Sequence, residues 1–218
     1  MTMMTEKITL IGAGSLGSFQ ALLISKIAHA IGCEIEVFDH DKVESHNTDN
    51  QLYRLSDAGS LKADSLKKIV YLLTEKNIKT EPVKINQSDI LRLRGIVIVM
   101  VDSMAARREI FEACKNDASV SYYIEARTGG NTAYVYAFNP RQQGSISQYA
   151  QMLYSDKRVL NPACATIETV PALWAVAAAV AKILILIKKD DSFRDKFLEV
   201  VVNFEDLPLV KTDKKEII

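Results

Sequence analysis

Short apolar runs alternate with longer amphipathic stretches along much of the chain. The short runs have the length of buried strands, whereas the longer stretches repeat apolar residues with a helical period. This alternation is typical of a doubly wound α/β fold with a mainly parallel sheet. We predict strands at residues 7–11, 34–38, 82–85, 96–101, 122–126, 133–138 and 200–204, and helices at residues 15–31, 61–76, 104–116 and 172–187.

Turn-forming residues divide the later part of the chain. Gly129-Gly130-Asn131 predicts a hairpin, so the later strands of the sheet are expected to turn antiparallel. The segment from about 140 to 165 is polar and irregular, which favours a mobile loop. We expect a single domain over residues 1–210, followed by a frayed tail at residues 211–218.

The beginning of the chain carries the strongest chemical signal. The first predicted strand leads into a turn with Gly12, Gly14 and Gly17, then a helix, and the second strand ends at Asp39. In a Rossmann-like βαβ unit the first glycine allows the tight turn, the second lets backbone approach phosphate, and the third permits close helix packing. A carboxylate at Asp39 can accept hydrogen bonds from both ribose hydroxyls. The pattern therefore predicts a nucleotide site.

The polar residues that follow suggest which nucleotide binds. They are Asp39, Asp41, Asn47, Gln51, Lys62 and Asp102, with Arg107 and Arg108 on the next predicted helix. Over residues 8–187 this pattern resembles the ThiF/MoeB/E1 superfamily, whose members adenylate the C-terminal carboxylate of a ubiquitin-like or sulfur-carrier protein. The resemblance implies ATP and Mg²⁺ as ligands and such a small protein as the partner.

The resemblance also implies roles for individual residues. Lys62 matches the lysine that contacts the phosphates, although its residue type alone is equally that of a solvated surface lysine. Asp102, at the carboxyl edge of the predicted sheet, is placed to hold Mg²⁺, with capping of the next helix as the alternative. Asn47 matches the phosphate-contacting asparagine and Gln51 its neighbour, and either is also suited to capping a turn. Asp41 belongs to the same nucleotide-binding set.

Three residues qualify this reading. Asn50 stands where the superfamily carries an arginine that neutralises the triphosphate, and Arg54 is the candidate substitute. Cys164 precedes the last apolar helix, as does the thioester-forming cysteine of smaller superfamily members, with a simple buried cysteine as the alternative. A catalytically weak ATP-binding scaffold or heterodimer subunit therefore remains an alternative to the adenylating enzyme. An NAD(P)- or FAD-dependent oxidoreductase shares the glycine turn but does not account for the later residues.

The composition argues against several other classes. Among 218 residues, 27 acidic residues balance 27 basic ones, so nothing predicts nucleic acid or an anionic membrane as a partner. The three cysteines form neither a CxxC pair nor an even disulfide framework, so we expect no zinc and a cytoplasmic location. The apolar segment at residues 172–187 contains Lys182 and predicts a core helix or dimer seam rather than a membrane span. A homodimer or heterodimer is expected from the resemblance.

Overall fold

The computed structural model describes residues 5–129, 131–154, 169–204 and 209–212. The strands are β1 (Glu6–Ile11), β2 (Cys33–Phe38), β3 (Lys79–Glu81), β4 (Gly95–Val99), β5 (Val120–Gly129), β6 (Thr132–Phe138), β7 (Leu198–Asn203) and β8 (Leu209–Thr212). The helices are α1 (Ser15–Ile27), α2 (Lys62–Thr74), α3 (Met104–Cys114), α4 (Gln143–Gln151) and α5 (Val170–Lys189). Short 3-10 helices cover Ser45–Asp49, Leu55–Asp57, Gln87–Arg92 and Asp191–Asp195.

The strands form one eight-stranded sheet in the order β3-β2-β1-β4-β5-β6-β7-β8. The first five strands in this order are parallel, and β6, β7 and β8 are each antiparallel to the preceding strand. The β5–β6 hairpin pairs Gly129 with Thr132, at the predicted turn. The predicted fold class is confirmed, including the change from parallel to antiparallel pairing.

Helices cover both faces of the sheet, which explains why the central strands are apolar on both sides. Helices α1, α2 and α5 pack on one face, where Ile8, Ile96 and Ile124 belong to the same core as the helix residues. Helices α3 and α4 pack on the other, around Val97 and Tyr123. The order of the strands brings the carboxyl ends of β1, β2, β4 and β5 to one edge, where open α/β sheets bind ligands.

Helix α5 is the core helix that its apolar sequence predicted. It packs against α1, and Ala172, Val176, Val180 and Leu184 are buried on its inner face. Among the described residues it is the one helix long and apolar enough to cross a membrane by length and composition, but half of that apolar window is buried inside the molecule. Burial against the sheet and α1 accounts for its hydrophobicity.

Some predicted segments differ from the structure. The strand expected at residues 82–85 lies instead at Lys79–Glu81, because Pro82 has no N–H to donate to a ladder. Part of the segment predicted as a mobile loop forms α4, which buries Ile146 and Tyr149 on one helical face. Strand β8 extends through Thr212 into the predicted tail.

A carboxylate ties the strands together at the opposite, amino edge of the sheet. Glu6 of β1 accepts hydrogen bonds from Ser121 Oγ of β5 at 2.5 Å, Lys188 Nζ of α5 at 3.1 Å and Arg194 Nη2 at 3.0 Å. Burial pushes the pKa of Glu6 upward, but the hydrogen bonds from Ser121, Arg194 and Lys188 more than offset it and leave the pKa below its ordinary value. The ionised side chain therefore stabilises the fold.

We expect Glu6→Gln to lower the free energy of unfolding by about 1–3 kcal/mol at pH 7, because two partly buried cations lose their anionic acceptor. A lowered pKa stabilises the fold above the pKa of the unfolded chain, and this contribution disappears as the pH falls through the folded value. The difference between wild type and variant should therefore shrink below the ordinary pKa of 4.5. Urea denaturation across pH checks this.

The matched control is Glu34→Gln, because Glu34 is exposed and pairs with Lys79 at 3.5 Å. We expect that variant to change stability by less than about 0.5 kcal/mol. An equal loss in both variants, or a Glu6→Gln effect that does not vary with pH, would contradict the assigned role of Glu6.

Candidate nucleotide site

The turn between β1 and α1 has the geometry of a phosphate-binding loop. Gly12 has a positive φ of 96°, and a Cβ there would lie 2.5 Å from the Met100 carbonyl oxygen. A Cβ on Gly17 would lie 1.9 Å from the Gly12 carbonyl oxygen, so only glycine lets α1 approach this closely. Gly14 has open space in the direction of a Cβ and immediately precedes α1. Backbone N–H groups at the start of the helix can therefore meet an anion.

Asp39 connects this loop to the end of β2. Its Oδ2 accepts a hydrogen bond from the Ala13 N–H at 2.6 Å, and its Oδ1 accepts one from the Asp41 N–H at 2.8 Å. The side chain is buried, and desolvation raises its pKa despite both backbone hydrogen bonds and the nearby charge of Lys62. Each carboxylate oxygen retains a lone pair, so the predicted contacts with ribose hydroxyls remain compatible with this arrangement.

Tyr53 is a second support of the glycine loop, and no motif in the sequence indicates it. Its hydroxyl donates to the Ala13 carbonyl at 2.6 Å, and burial raises its pKa far above the ordinary value. The N–H of Leu52 also donates to Ser18 Oγ on α1 at 3.3 Å. The polar segment after β2 therefore folds back onto the nucleotide loop. No spacing rule marks an aromatic residue for this role.

Lys62 is held beside the loop and is not a solvated surface lysine. It begins α2, its side chain is only 10% exposed, and its Nζ lies 3.2 Å from Asp41 Oδ2. Its backbone N–H also donates to the Asp41 carbonyl at 2.8 Å, so the two residues are tied together twice. Asp41 thereby positions an ammonium group next to Asp39. The structure brings together the predicted residues Asp39, Asp41 and Lys62.

The polar residues in the segment after β2 have two different roles: some stabilise the local structure, and others are free to face a ligand. The Oδ1 of buried Asn47 accepts from the Glu44 N–H at 2.9 Å, which is the capping alternative of the sequence analysis. Gln51 has a buried Oε1 without a hydrogen-bond partner among the described residues. Such an orphaned acceptor is costly unless a ligand meets it, and an amide can turn over to present its donor instead. Gln51 is therefore suited to contact a nucleotide.

Asn50 and Arg54, the two positions that bear on neutralising the triphosphate charge, lie in different environments. Asn50, at the position of the superfamily arginine, is buried. Arg54 is largely exposed and forms a forked pair with Asp57, with Nε at 3.1 Å from Oδ2 and Nη2 at 3.0 Å from Oδ1. Its guanidinium holds the pKa of Asp57 below the ordinary value. Arg54 would have to leave this pair to reach a phosphate.

Asp102 lies in the loop between β4 and α3 and is exposed at the carboxyl edge. The alternative reading of this residue as a helix cap is wrong, because Ser103 is the N-cap and its Oγ accepts from the Ala106 N–H at 3.1 Å. The loop adjoins the nucleotide loop, since the carbonyl of Met100 faces Gly12. The Asp102 carboxylate is therefore available to a cation beside the phosphates.

Oxygen donors suited to Mg²⁺ occur here in two places. Besides Asp102, one carboxylate oxygen each of Asp39 and Asp41 and a ring nitrogen of His40 lie within 4.8 Å of one another. Both oxygens of Asp39 already accept backbone hydrogen bonds, and Asp41 pairs with Lys62. Asp102 thus remains the better candidate ligand.

Two of the three cysteines lie in the described parts of the chain. Cys33 and Cys114 are buried and free, and burial raises the pKa of both thiols. Cys164, the candidate thioester cysteine, lies outside the described residues. Arg127 is buried and pairs with Glu125.

These groups lie at the carboxyl edge where parallel strands end, which is where open α/β proteins bind nucleotides. The chain belongs to the ThiF family of E1-like adenylation proteins, because the model of that family matches residues 2–216. A comparison of the sequence with curated proteins gave no match.

Solved structures share the fold over nearly the whole chain. E. coli MccB with ATP aligns with a TM-score of 0.73 and 18% identity, covering 97% of this chain and 64% of that one. MccB with AMPCPP and MccA gives a TM-score of 0.70 at 18% identity, with 96% and 63% covered. PaaA gives 0.69 at 18% identity, with 98% and 65% covered. The chain thus spans less than two thirds of the length of these proteins, and the likeness establishes the fold.

The glycine geometry predicts opposite effects for two alanine substitutions. Gly17→Ala should destabilise the protein by about 3 kcal/mol, because its methyl group would overlap the Gly12 carbonyl. Gly14→Ala should change stability by less than about 1 kcal/mol, yet weaken ATP binding at least tenfold by blocking the approach of phosphate. Thermal unfolding and calorimetric ATP titration measure the two effects. Unaltered ATP affinity in Gly14→Ala would refute the role given to the second glycine.

Proposed function

We propose that this protein uses ATP to adenylate the C-terminal carboxylate of a ubiquitin-like or sulfur-carrier protein. The observation that carries this proposal is the burial of Lys62 beside a glycine loop anchored by Asp39. A simple nucleotide-binding module has no need for a desolvated ammonium group held next to the phosphates. Membership of the ThiF family supports the same reaction class.

The proposed chemistry needs charge stabilisation more than it needs a base. A carboxylate oxygen of the substrate attacks the α-phosphorus of ATP, forming an acyl–phosphate bond, while the bond between the α- and β-phosphates breaks and pyrophosphate leaves. The attacking carboxylate is already ionised, so no proton has to be removed. Negative charge builds on the phosphate oxygens and on pyrophosphate, where fixed cations are most effective.

The described residues fit these requirements. In this proposal Lys62 contacts the phosphates, the N–H groups at the start of α1 and the backbone of Gly14 meet them, and Asp39 binds the ribose. The exposed carboxylate of Asp102 suits Mg²⁺, which supplies further positive charge at the polyphosphate. Gln51 offers an unpartnered buried amide atom to the same ligand.

Solved structures and the surface of α5 bear on the substrate and the assembly. The structures of MccB with ATP, and with AMPCPP and MccA, support ATP and a second ligand for this fold. Helix α5, with Trp174 exposed and several alanines on its outer side, supplies a surface for a homodimer or heterodimer. The two buried free thiols are consistent with a cytoplasmic location.

The test is exchange of labelled pyrophosphate into ATP, with Mg²⁺ and candidate ubiquitin-like proteins. We expect Lys62→Ala and Asp102→Ala each to reduce the exchange rate by about 10²- to 10³-fold, because each removes charge stabilisation at the phosphates. The matched control is Lys67→Ala, since Lys67 is an exposed lysine on the same helix. Exchange that is indifferent to Lys62, or binding of NAD(P) in place of ATP, would contradict the proposal.

A catalytically weak ATP-binding scaffold is the second candidate function. The observation that favours it is the burial of Asn50 in place of an arginine, while Arg54 is occupied by Asp57. If the enzyme is active, we propose that Arg54 supplies the missing charge by exchanging Asp57 for the triphosphate. In the active enzyme, the thiolate of Cys164 would then attack the carbonyl of the acyl adenylate, forming a thioester as AMP leaves.

Arg54→Ala distinguishes these two functions. For the active enzyme we expect about a 100-fold fall in pyrophosphate exchange, because the cation that replaces the superfamily arginine is lost. Asp57→Asn, which releases Arg54 from its pair, should retain most of the wild-type rate. Tight ATP binding without exchange in the wild type, or full exchange in Arg54→Ala, would show that Arg54 does not take this role.

A further inference from the structure

Helix α3 and strand β5 enclose a cluster of charges that the proposed reaction does not use directly. Glu125 is fully buried, and Arg107 and Arg127 are 5% and 6% exposed. Both arginines pair with Glu125, and the hydroxyl of buried Tyr149 lies 3.3 Å from Glu125 Oε2. Two guanidinium groups and one carboxylate leave a net positive charge inside the protein.

Burying such a cluster of charges costs free energy, so a gain in stability does not explain why the cluster is present. Burying charged groups costs several kcal/mol for each ion, and an apolar replacement of similar volume is often as stable or more stable. The Nε of Arg107 also has no hydrogen-bond partner among the described residues. Burial and the neighbouring Arg127 lower the pKa of Arg107 to about 10, because both disfavour the charged form of its guanidinium.

The hydrogen bonds of Arg107 show where the cluster acts. Its Nη1 contacts Glu125 and donates to the Ala126 carbonyl at 2.8 Å, while its Nη2 donates to the carbonyl of Val101. Val101 directly precedes Asp102, and Met100 before it contacts Gly12 of the nucleotide loop. One guanidinium thus joins the loop that carries Asp102 to the part of β5 where its pairing with β4 ends.

The rest of the cluster holds that guanidinium in place. Arg127 donates through Nη2 to Glu125 Oε2 at 2.5 Å and through Nη1 to the Met152 carbonyl at 3.0 Å. Its guanidinium carbon lies 4.9 Å from the centre of the Tyr136 ring. Glu125 is therefore clamped between two arginines, and it directs Arg107 towards Val101.

We propose that Arg107, held by Glu125 and Arg127, is a positioning residue that sets the direction of Asp102 towards Mg²⁺ at the ATP phosphates. This inference rests on the proposed function, which assigns Asp102 to the cation. The planar fork of an arginine reaches three acceptors on two chain segments at once, whereas the single ammonium group of lysine cannot keep that geometry. The loss of a residue that orients a metal ligand typically weakens metal affinity by about 10- to 100-fold.

The experiment measures binding rather than turnover. Calorimetry gives the Kd of AMPCPP with and without Mg²⁺ for the wild type, Asp102→Ala, Arg107→Lys and the double variant. We expect Mg²⁺ to tighten binding to the wild type, and Arg107→Lys to reduce that gain about tenfold while the Mg²⁺-free Kd changes less than about twofold. The double variant should match Asp102→Ala alone, because Arg107 acts through Asp102.

The matched control is Arg108→Lys. Arg108 is the exposed neighbour on α3 and donates to the Leu153 carbonyl at 3.0 Å, whereas Arg107 donates to the Val101 carbonyl. We expect it to leave both Kd values unchanged. If Arg107→Lys does not fold, as judged by near-ultraviolet circular dichroism, Arg127→Lys provides the second variant and should also reduce the Mg²⁺-dependent gain.

The outcomes separate this inference from the proposed function. If Asp102→Ala leaves the Mg²⁺-dependent gain intact, the assignment of Asp102 fails, and the positioning role fails with it. If Asp102→Ala removes the gain but Arg107→Lys does not, the assignment stands and the positioning role is overturned. Additive effects in the double variant, or an equal loss of affinity with and without Mg²⁺, would also overturn it.

Discussion

The carboxylate of Asp39 is the contact on which the candidate site depends. It accepts backbone hydrogen bonds from the glycine loop and from the turn after β2, so it joins two segments that would otherwise be held only by their strands. The turn then brings Asp41 and Lys62 next to the loop, while Tyr53 holds the loop from another side. Because these groups share neighbours, the phosphate loop and the cation beside it form one unit.

Two carboxylates each pair with two cationic side chains: Glu6 at the amino edge of the sheet and Glu125 at the carboxyl edge. They differ in how deeply they are buried, and therefore in what their ion pairs contribute. Glu6 retains partial exposure, so its ion pairs with Lys188 and Arg194 carry a modest desolvation cost and link β1 to α5. Glu125 is fully buried with Arg107 and Arg127, where desolvation offsets much of the attraction. The ion pairs of Glu6 therefore stabilise the fold, whereas those of Glu125 are better explained by a role in orienting the loop that carries Asp102.

The charge distribution of the site differs from the superfamily pattern at one point. Asn50 removes a cation, and the nearest exposed arginine, Arg54, is engaged by Asp57. Lys62 is then the buried cation that Asp41 holds close to Asp39. Catalysis at such a site depends on how far Lys62 and Mg²⁺ compensate for the missing arginine, because the negative charge on departing pyrophosphate requires fixed positive partners.

Local spacing in the sequence determined the strand and helix pattern, the glycine turn and the place of Asp39, because each depends on residues close together in the chain. The same reasoning placed a strand at residues 82–85 and a loop over α4, where pairing partners and a buried helical face decided otherwise. Tyr53 reaches Ala13 and Arg107 reaches Glu125 only in the folded chain. Such contacts depend on the order in which the strands assemble, so the tertiary structure alone decided which polar residues are buried, paired or left facing a ligand.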